Sequence, residues 1–172
     1  MTEATALLAE LDARRQIHDV LQTLSRGIDR NDRATILSCY HPGAYDDHGE
    51  FKGSPEGFAD YVDEIHKNRY VCTVHFLGNQ RVVVDGDTAT SETYVLGVLR
   101  FKKDGELFDF NGFGRYLDRW EKRSNEWRIV ERITLLDSDR IDRVAMRAQG
   151  PLTETLQWGT ASRDDPSYKL WP

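Results

Sequence analysis

The hydrophobic pattern of the N-terminal part of the chain is that of amphipathic helices. Apolar residues recur every three or four positions from Ile17 to Ile28, and this period predicts a first helix that ends near residues 27–31. A shorter helix is expected around Ile36, where apolar positions again follow helical spacing. A short strand at residues 44–48 should follow, because a Pro-Gly pair breaks this second helix.

A third helix is predicted after Ser54, since serine is a good capping residue and the following Pro55 suits the first helical position. The pattern changes from helical to extended after Lys67, where stretches rich in β-branched and aromatic residues begin. Hairpin-type turn sequences divide this part of the chain into four long strands. These turns are Asp85-Gly86-Asp87, Lys103-Asp104-Gly105 and Ser124-Asn125.

This order of elements predicts an α+β fold. Helices that precede a meander most simply pack on one face of it, so we expect a cone-shaped barrel of a curved antiparallel sheet, with the three N-terminal helices on its concave face. Residues 1–172 should form one domain, with a core at residues 10–138 and a less regular C-terminal tail at residues 139–172. The tail is expected to cap a pocket mouth or to cross to a neighbouring subunit. Its predicted apolar anchors are Met146, Leu152, Leu156, Trp158, Tyr168, Leu170 and Trp171.

Charge and composition argue against several classes of protein. The net charge is −6, whereas a protein that binds nucleic-acid phosphates would need a basic face. No apolar run approaches the length of a membrane span, and the N-terminal residues lack the pattern of a secretory signal, so we expect no membrane partner and a cytoplasmic protein. Cys39 and Cys72 are too few for a disulfide framework, and we expect both to be reduced and semi-buried.

Three polar residues are candidates for a pocket between the helices and the sheet. His75 interrupts the apolar strand VCTVHFLGN, Asp29 ends the first helix, and Arg132 lies on the last strand. The two-residue period of that strand places Arg132 on one face with Val130 and Thr134. The three candidates together suit proton abstraction: Asp29 would orient the imidazole of His75, which takes the proton, and Arg132 would stabilise the anion that forms. The structural alternative is a satisfied core histidine, a helix-terminal carboxylate and an arginine in a surface ion pair.

The segment HPGAYDDHGEF contains the densest group of polar residues. A metal site would need several ligands on one face, but on a strand Asp46 and His48 point to one side while Tyr45 and Asp47 point to the other. We therefore expect no metal ion there. Tyr45 is a candidate hydrogen-bond donor to a substrate oxygen, and an aromatic core position is its structural alternative.

The segment LFDFNGFGRYLDRW divides its residues between two strand faces. Phe110, Gly112 and Tyr116 share one face, while Phe113 and Arg115 lie on the other. The sequence leaves open which face lies inside. The glycines indicate a bend or bulge rather than a phosphate cradle, since no helix follows them. The chain has no dinucleotide fingerprint, P-loop or recognisable nucleophile motif, so we expect a reaction without a cofactor.

Three segments in this order resemble the SnoaL-like branch of the nuclear transport factor 2-like superfamily: RQIHDVLQTLSRGIDRND, CTVHFLGN and WRIVERITLLD. The resemblance covers roughly residues 10–138. The branch includes hexachlorocyclohexane dehydrochlorinase, scytalone dehydratase and bile-acid dehydratase, which are cofactor-free lyases with a pocket inside the cone. The resemblance therefore implies the cone fold, a lyase without a cofactor and self-association through the sheet.

Carried over residue by residue, the resemblance implies a catalytic dyad of Asp29 in GIDR and His75 in TVHF. Arg132 in WRIVER looks equivalent to the pocket arginine of the dehydrochlorinase, and Tyr45 lies near the position of the substrate-activating tyrosine of scytalone dehydratase. Two departures leave the substrate open. No second pocket histidine is evident on the middle strands, and the tail after Asp137 follows no pattern of the family.

The expected function is that of a cofactor-independent lyase: a dehydratase, a dehydrohalogenase or an aryl carbon–carbon lyase. Its substrate should be a small hydrophobic cyclic or aromatic molecule, bound by Tyr45, Phe113, Arg115 and Trp158. An isomerase of the ketosteroid type would use the same residues, and a non-catalytic binding module on the same fold is the alternative from another class. We expect a homo-oligomer, either a dimer or a trimer.

Overall fold

The computed structural model describes residues 2–170, apart from the side chain of Leu152. The predicted anchors Leu152 and Trp171 lie outside the described residues. Within the described part, helices pack on one side of a single curved sheet of six strands. This architecture confirms the predicted α+β fold class.

Three helices come from the N-terminal part of the chain, as predicted. They are α1 (Glu3–Asp29), α2 (Arg33–Ser38) and α3 (Pro55–Asn68). The side chains of Asp32 and Ser54 cap α2 and α3, because each accepts a hydrogen bond from a backbone N–H in the first turn. Within residues 2–170, no helix combines the length and the apolar character that crossing a bilayer requires.

The sheet contains two short strands and four long ones in the order β2-β1-β6-β5-β4-β3. All three predicted hairpin turns are present. At the second turn Asp104 and Gly105 both have positive φ, 53° and 81°, which is the conformation that Asp-Gly turns favour. The strands are β1 (Tyr40–Asp47), β2 (Lys52–Gly53), β3 (Tyr70–Asp85), β4 (Thr88–Lys103), β5 (Glu106–Arg123) and β6 (Glu126–Arg143).

One strand pairing departs from the predicted antiparallel sheet. β1 runs parallel to β6, with Asp46 beside Arg132, while the other neighbouring strands are antiparallel. The chain leaves β1, crosses through α3 to the far edge of the sheet and returns by three hairpins, so that it runs along β6 in the direction of β1. In the described residues β2 and β3 remain unpaired edges, so the sheet curves without closing into a barrel.

The hydrophobic core lies between the helices and the concave face of the sheet. Leu24 of α1, Phe58 of α3, Trp120 of β5 and Ile129 of β6 belong to one buried cluster. Burial of this apolar surface, worth about 25 cal/mol per Å², holds the helices against the sheet.

A bulge in β6 changes which residues face the core. The strand register shifts between the pair Trp120–Ile129 and the pair Arg119–Glu131. Ile129 and Arg132 are consequently buried, and Val130 is only half-buried. The prediction that Val130 shares the inner face with Arg132 is wrong, because the bulge adds one residue and interrupts the two-residue period.

A second irregularity confirms the bend predicted at the glycines of β5. The register with β6 shifts between Phe113 and Gly114. A Cβ atom at Gly114 would lie 2.1 Å from the carbonyl oxygen of Leu135, a distance that no side chain tolerates. Glycine therefore permits the close approach of the two backbones.

Several element boundaries differ from the predicted ones. β6 extends to Arg143, past the predicted core limit at residue 138. β1 begins at Tyr40 rather than at residue 44, and α2 ends at Ser38. The differences arise where strand pairing with β6 extends an element beyond its local signal.

The C-terminal tail docks on the corner between α1 and α2 through polar contacts. The hydroxyl of Tyr168 donates a 2.7 Å hydrogen bond to Asp32, and Nε of Arg30 lies 3.3 Å from Oδ2 of Asp165. Polar groups hold the tail, so the prediction of apolar anchors is wrong for four residues. The exposed ones are Met146, Leu156, Trp158 and Leu170.

The two cysteines are free, as expected, but their burial differs from the predicted semi-buried state. Cys39 is buried and Cys72 is exposed. Burial raises the pKa of the Cys39 thiol to about 11. Cys39 is therefore a packing residue rather than a reactive thiolate.

Candidate active site

The side chains of His75 and Asp29 meet in the folded chain although 46 positions separate them in sequence. Asp29 is the last residue of α1, and its Oδ1 lies 2.7 Å from Nδ1 of His75 on β3. Its Oδ2 accepts a 2.9 Å hydrogen bond from the backbone N–H of His75. The hydroxyl of Thr73 donates a further hydrogen bond of 3.0 Å to Oδ1. Three donors from one strand thus hold the carboxylate in place.

This pairing determines which ring nitrogen of His75 carries the proton. A carboxylate only accepts hydrogen bonds, so Nδ1 donates and the neutral imidazole keeps its lone pair on Nε2. Within residues 2–170 the only ring hydrogen bond of His75 is the one to Asp29, and the residue lines a cavity. The arrangement can therefore accept a proton from a molecule in that cavity.

The cavity has a volume of about 620 Å³ and lies between the helices and the concave face of the sheet. This volume is within the range that holds small organic ligands. Most of its wall is apolar, which suits a ligand with a hydrophobic ring system. The apolar side chains that line it belong to Ile28, Phe58, Val62, Ile65, Leu99, Phe101, Phe110, Leu136 and Ile141.

Polar residues border the exposed rim of the cavity. Arg69 and Glu50 form an ion pair of 2.6 Å, and Tyr61 donates a 3.1 Å hydrogen bond to the same Glu50 oxygen. Burial and the charge of Glu50 raise the pKa of Tyr61 to about 12, so the phenol keeps its proton at neutral pH. The rim is therefore polar while the interior is apolar.

A glycine lies beside His75. Gly97 on β4 is the strand partner of His75, and a Cβ atom on it would lie 3.8 Å from Nε2 of His75. Gly112 on β5 is the partner of Gly97, and the ring of Phe110 occupies the space next to it. The missing side chain of Gly97 therefore leaves one side of the His75 ring uncovered.

Arg132 does not line the cavity. Its guanidinium donates hydrogen bonds of 2.7 and 2.9 Å to Asp118, lies 4.0 Å above the ring of Tyr116 and is 1% exposed. Burial alone would lower the pKa of Arg132, but the charge of Asp118 outweighs it and the pKa is raised. The predicted role, stabilising an anion formed from the substrate, would require Arg132 to leave Asp118. The structural alternative, an arginine held in an ion pair, therefore describes its position. The pair lies in the core, however, and not on the surface.

Tyr45 also lies away from the cavity. Its neighbour Asp46 is fully buried, and the alternation along β1 turns Tyr45 to the opposite face of the sheet, where it is 42% exposed. This position differs from the predicted one, because Asp46 rather than Tyr45 points inward.

Phe113 and Arg115 lie on the outer face of β5. Phe110, on the other face, lines the cavity, which settles the orientation that the sequence leaves open. Phe113 is 41% exposed in a shallow outer groove beside Tyr94, and Arg115 forms an ion pair of 2.8 Å with Asp137. The strand period therefore separates both residues from the predicted substrate site. The expected homo-oligomer stays a prediction.

Trp158 does not contribute to the cavity either. It lies in the C-terminal tail, is 62% exposed and carries the guanidinium of Arg147 above its ring at 4.4 Å. No described residue beyond Ile141 lines the cavity. The predicted cap over the pocket mouth is therefore absent from the described part of the tail.

A second histidine, His48, lines the same cavity and was missed by the sequence analysis. Its Nδ1 hydrogen-bonds to Asp46, which also accepts a hydrogen bond from the hydroxyl of Tyr40. The ring of His48 stacks on Phe58 with 4.3 Å between centroids. The signal in the sequence is the two-residue spacing of Asp46 and His48, which predicts a shared face but not the cavity on that side.

Thr134 adds an unpaired hydroxyl to the cavity wall. Its Oγ1 is buried and has no hydrogen-bond partner within residues 2–170. Such a group costs about 1–3 kcal/mol when it stays unpaired. An oxygen atom of a bound ligand would supply the missing partner.

Metal ligands are not clustered in the described structure. Within residues 2–170, no group of three or more His, Cys, Asp or Glu side chains is placed to hold a metal ion. The expectation of a reaction without metal or cofactor stays a prediction.

Solved structures of similar fold include two proteins of Novosphingobium. Hexachlorocyclohexane dehydrochlorinase LinA-type3 from Novosphingobium barchaimii has a TM-score of 0.69 and 20% identity, covering 84% of this chain and 98% of that chain. A scytalone dehydratase-like protein from Novosphingobium aromaticivorans has a TM-score of 0.66 and 18% identity, covering 83% and 95%. At these identities the likeness shows the fold alone.

The sequence itself places the chain in a family. The uncharacterised protein Rv2910c of Mycobacterium tuberculosis is 29% identical over 129 residues, which are 73% of this chain and 86% of that protein. The model of the SnoaL-like domain matches residues 9–133, a range that contains both histidine–aspartate pairs of the cavity. This match confirms the resemblance drawn from the three sequence segments, and the chain belongs to the SnoaL-like domain family.

Proposed function

We propose that this protein is a cofactor-independent lyase in which His75, oriented by Asp29, removes a proton from a carbon atom of a small cyclic or aromatic substrate. The observation that carries the proposal is the 2.7 Å hydrogen bond between Nδ1 of His75 and Oδ1 of Asp29, made by a histidine that lines a mostly apolar cavity. A cavity with few polar groups binds an uncharged ring and leaves those groups for the chemistry.

The mechanism follows from the geometry of the pair. When Nε2 of His75 accepts the substrate proton, the imidazolium forms beside the carboxylate of Asp29, which stabilises it. The electrons of the broken carbon–hydrogen bond form a carbon–carbon double bond, and the leaving group departs from the adjacent carbon. The unpaired hydroxyl of Thr134 can donate a hydrogen bond to a substrate oxygen that gains negative charge.

The structural neighbours support elimination as the reaction class. One is named as a dehydrochlorinase and another as a scytalone dehydratase-like protein, and both names describe the loss of a small molecule from a cyclic substrate. Fold alone does not determine function, so the support comes from the fold together with the His75–Asp29 pair.

The test is a mass-spectrometric screen of the purified protein without added cofactor. The pools contain β-hydroxy, β-halo and aryl-propanoid compounds, and His75→Gln is assayed in parallel. We expect a product that has lost water or hydrogen halide, and a rate at least about 10²-fold lower in His75→Gln. His18→Gln is the matched control, because His18 is exposed, bonds to Gln80 and lies outside the cavity.

Other outcomes would replace the proposal. A product of unchanged mass that incorporates deuterium from heavy water would indicate an isomerase. Compounds that bind without any conversion would indicate a binding module. In either case the hydrogen bond between His75 and Asp29 would have another purpose than elimination.

A further inference from the structure

We propose that His48 is a second acid–base residue of this cavity and that it donates the proton which a hydroxyl leaving group requires. The preferred substrate would then lose water rather than halide. This inference rests on the proposed function of His75, since it concerns the second half of the same reaction.

The position of His48 suits this role. His48 directly follows β1, and His75 lies on β3, at the other edge of the sheet beyond β6, β5 and β4. The curvature of the sheet brings both residues to the wall of one cavity. A substrate between them would be approached by one histidine from each side.

Contacts on two sides hold the ring of His48. It stacks on Phe58 at 4.3 Å between centroids and lies 5.9 Å from the ring of Tyr116. Its Nδ1 is bonded to Asp46, and within residues 2–170 this is the only hydrogen bond of the ring. Nε2 is therefore the nitrogen available to a substrate, as it is in His75.

The proposed function makes His75 the base, because Asp29 holds its Nδ1 and the ring lines the cavity. The acid is then the second histidine of the same cavity, His48. Asp118 is paired with Arg132, which leaves Asp46 as the carboxylate that would stabilise an imidazolium at His48. We therefore assign His48 as the acid and His75 as the base.

The proposed step balances in atoms and charge. Nε2 of His75 takes the proton from carbon, the electron pair forms the double bond, and the carbon–oxygen bond of the adjacent carbon breaks. The departing oxygen takes the proton from Nε2 of His48 and leaves as water. His75 ends as imidazolium and His48 as neutral imidazole, and exchange of one proton through solvent restores both.

The choice between water and halide follows from the chemistry of leaving groups. A halide leaves as a stable anion and needs no proton, whereas hydroxide is a poor leaving group until it is protonated. A cavity built only for loss of halide would need one base. The second histidine–carboxylate pair therefore points to substrates with a hydroxyl group beside the acidic carbon.

Two probes with the same acidic carbon separate the roles of the two histidines. One is the aldol adduct of benzaldehyde and acetone, which loses water, and the other is its para-nitrophenyl ether, which loses para-nitrophenolate without protonation. Both give benzylideneacetone, measured by absorbance. We expect His48→Gln to lower the rate of water loss about 10²-fold and to change the rate with the ether less than about threefold.

Control variants distinguish loss of the acid from loss of the base and from loss of folding. His75→Gln should lower the rates with both probes at least about 10²-fold, and His18→Gln should leave both rates unchanged. Thermal melting shows whether each variant is folded, and His48→Phe, which keeps a ring against Phe58, replaces His48→Gln if the latter does not fold.

Each outcome decides between the two proposals. If His48→Gln affects both probes equally or neither of them, His48 is not the acid, although the function of His75 stands. If neither probe is converted in a manner that depends on His75, the proposed function fails and the role of His48 fails with it.

Discussion

The hydroxyl of Thr73 donates a 3.0 Å hydrogen bond to Oδ1 of Asp29, the same oxygen that accepts the ring hydrogen bond of His75. Thr73 and His75 lie two residues apart on one face of β3, so one strand supplies both groups. Because this hydrogen bond restrains the carboxylate, Thr73 acts on the substrate through Asp29 and His75. Thr73 is a positioning residue.

Thr73→Val removes this restraint with little change in volume. The loss of one hydrogen bond, worth about 1–1.5 kcal/mol, should lower kcat about tenfold and leave KM nearly unchanged. The measurement is steady-state kinetics with whichever compound the screen identifies. His75→Gln should have a much larger effect on the same substrate.

Thr93→Val is the matched control. Thr93 is as deeply buried as Thr73, but its Oγ1 has no hydrogen-bond partner within residues 2–170. The substitution removes an unpaired buried hydroxyl, so kcat should not change and the protein should gain up to about 1 kcal/mol in stability. Equal losses of kcat in the two variants would show that the hydrogen bond to Asp29 does not position His75.

Arg132 is expected to act on stability rather than on the substrate. Arg132→Met leaves Asp118 charged and buried without its partner, which should cost about 3–5 kcal/mol in the free energy of unfolding. In the double variant Arg132→Met/Asp118→Leu, stability should recover most of this loss, because both charges are gone. Urea denaturation of the three proteins measures the difference.

The opposite result would restore the role that the family resemblance implies. If Arg132→Met unfolds with nearly unchanged free energy and yet loses catalytic activity, Arg132 reaches the substrate in a conformation in which it has left Asp118. The two results are distinguishable, since one is read from unfolding and the other from turnover.

His66 should make stability depend on pH. Its Nε2 donates a 2.9 Å hydrogen bond to the carbonyl of Ile28. Burial lowers the pKa of His66 below its ordinary value, and the carbonyl together with the carboxylates of Asp29 and Asp63 offsets part of this effect, while a charge on His75 adds to it. His66 therefore binds a proton only at a lower pH in the folded chain than an exposed histidine does.

The sign of the effect follows from proton linkage. The unfolded chain binds a proton at His66 at a higher pH than the folded chain, so the stabilisation is fully present above about pH 6.5 and is lost as the pH falls toward the lower folded pKa. Urea denaturation at several pH values between about 5 and 8 should show this decrease. His66→Gln should reduce the slope, whereas His18→Gln should retain it. An unchanged slope in His66→Gln would contradict the assignment.

Gly114 is expected to resist substitution. A Cβ atom there would meet backbone atoms of β6 at 2.1 Å, so Gly114→Ala should destabilise the protein by about 1–3 kcal/mol or more. Gly97→Ala is the control, because its Cβ would make an ordinary contact of 3.8 Å with the ring of His75. Thermal melting should therefore show a lower Tm for Gly114→Ala alone. Similar melting of the two variants would mean that β5 and β6 separate at the bulge at little cost.

Local sequence signals account for most of the secondary structure. The helical period of apolar residues ends α1 near Asp29, and Ser54 with Pro55 starts α3 where capping chemistry predicts. The Asp-Gly and Ser-Asn pairs mark hairpin turns because their backbones adopt positive φ readily. These features depend on neighbours within a few residues, which the sequence displays directly.

Other features depend on how the elements pack. The sequence divides β5 into two faces, and only the packed sheet shows that Phe110 faces the cavity while Phe113 faces outward. The bulge in β6 likewise arises from pairing with β5, and it places Arg132 in the core beside Asp118. A local period cannot reveal such shifts, because they are set by the partner strand.

The two histidines of the cavity show which features the sequence alone predicts and which require the packed structure. The sequence by itself determined that His75 interrupts an apolar strand and that Asp46 and His48 share a strand face. Only the tertiary structure decided that His75 meets Asp29 and that His48 opens into the same cavity. The physical reason is that periodicity assigns residues to faces within one element. A site is formed by the faces of different elements, and here the parallel pairing of β1 with β6 and the curvature of the sheet bring those faces together.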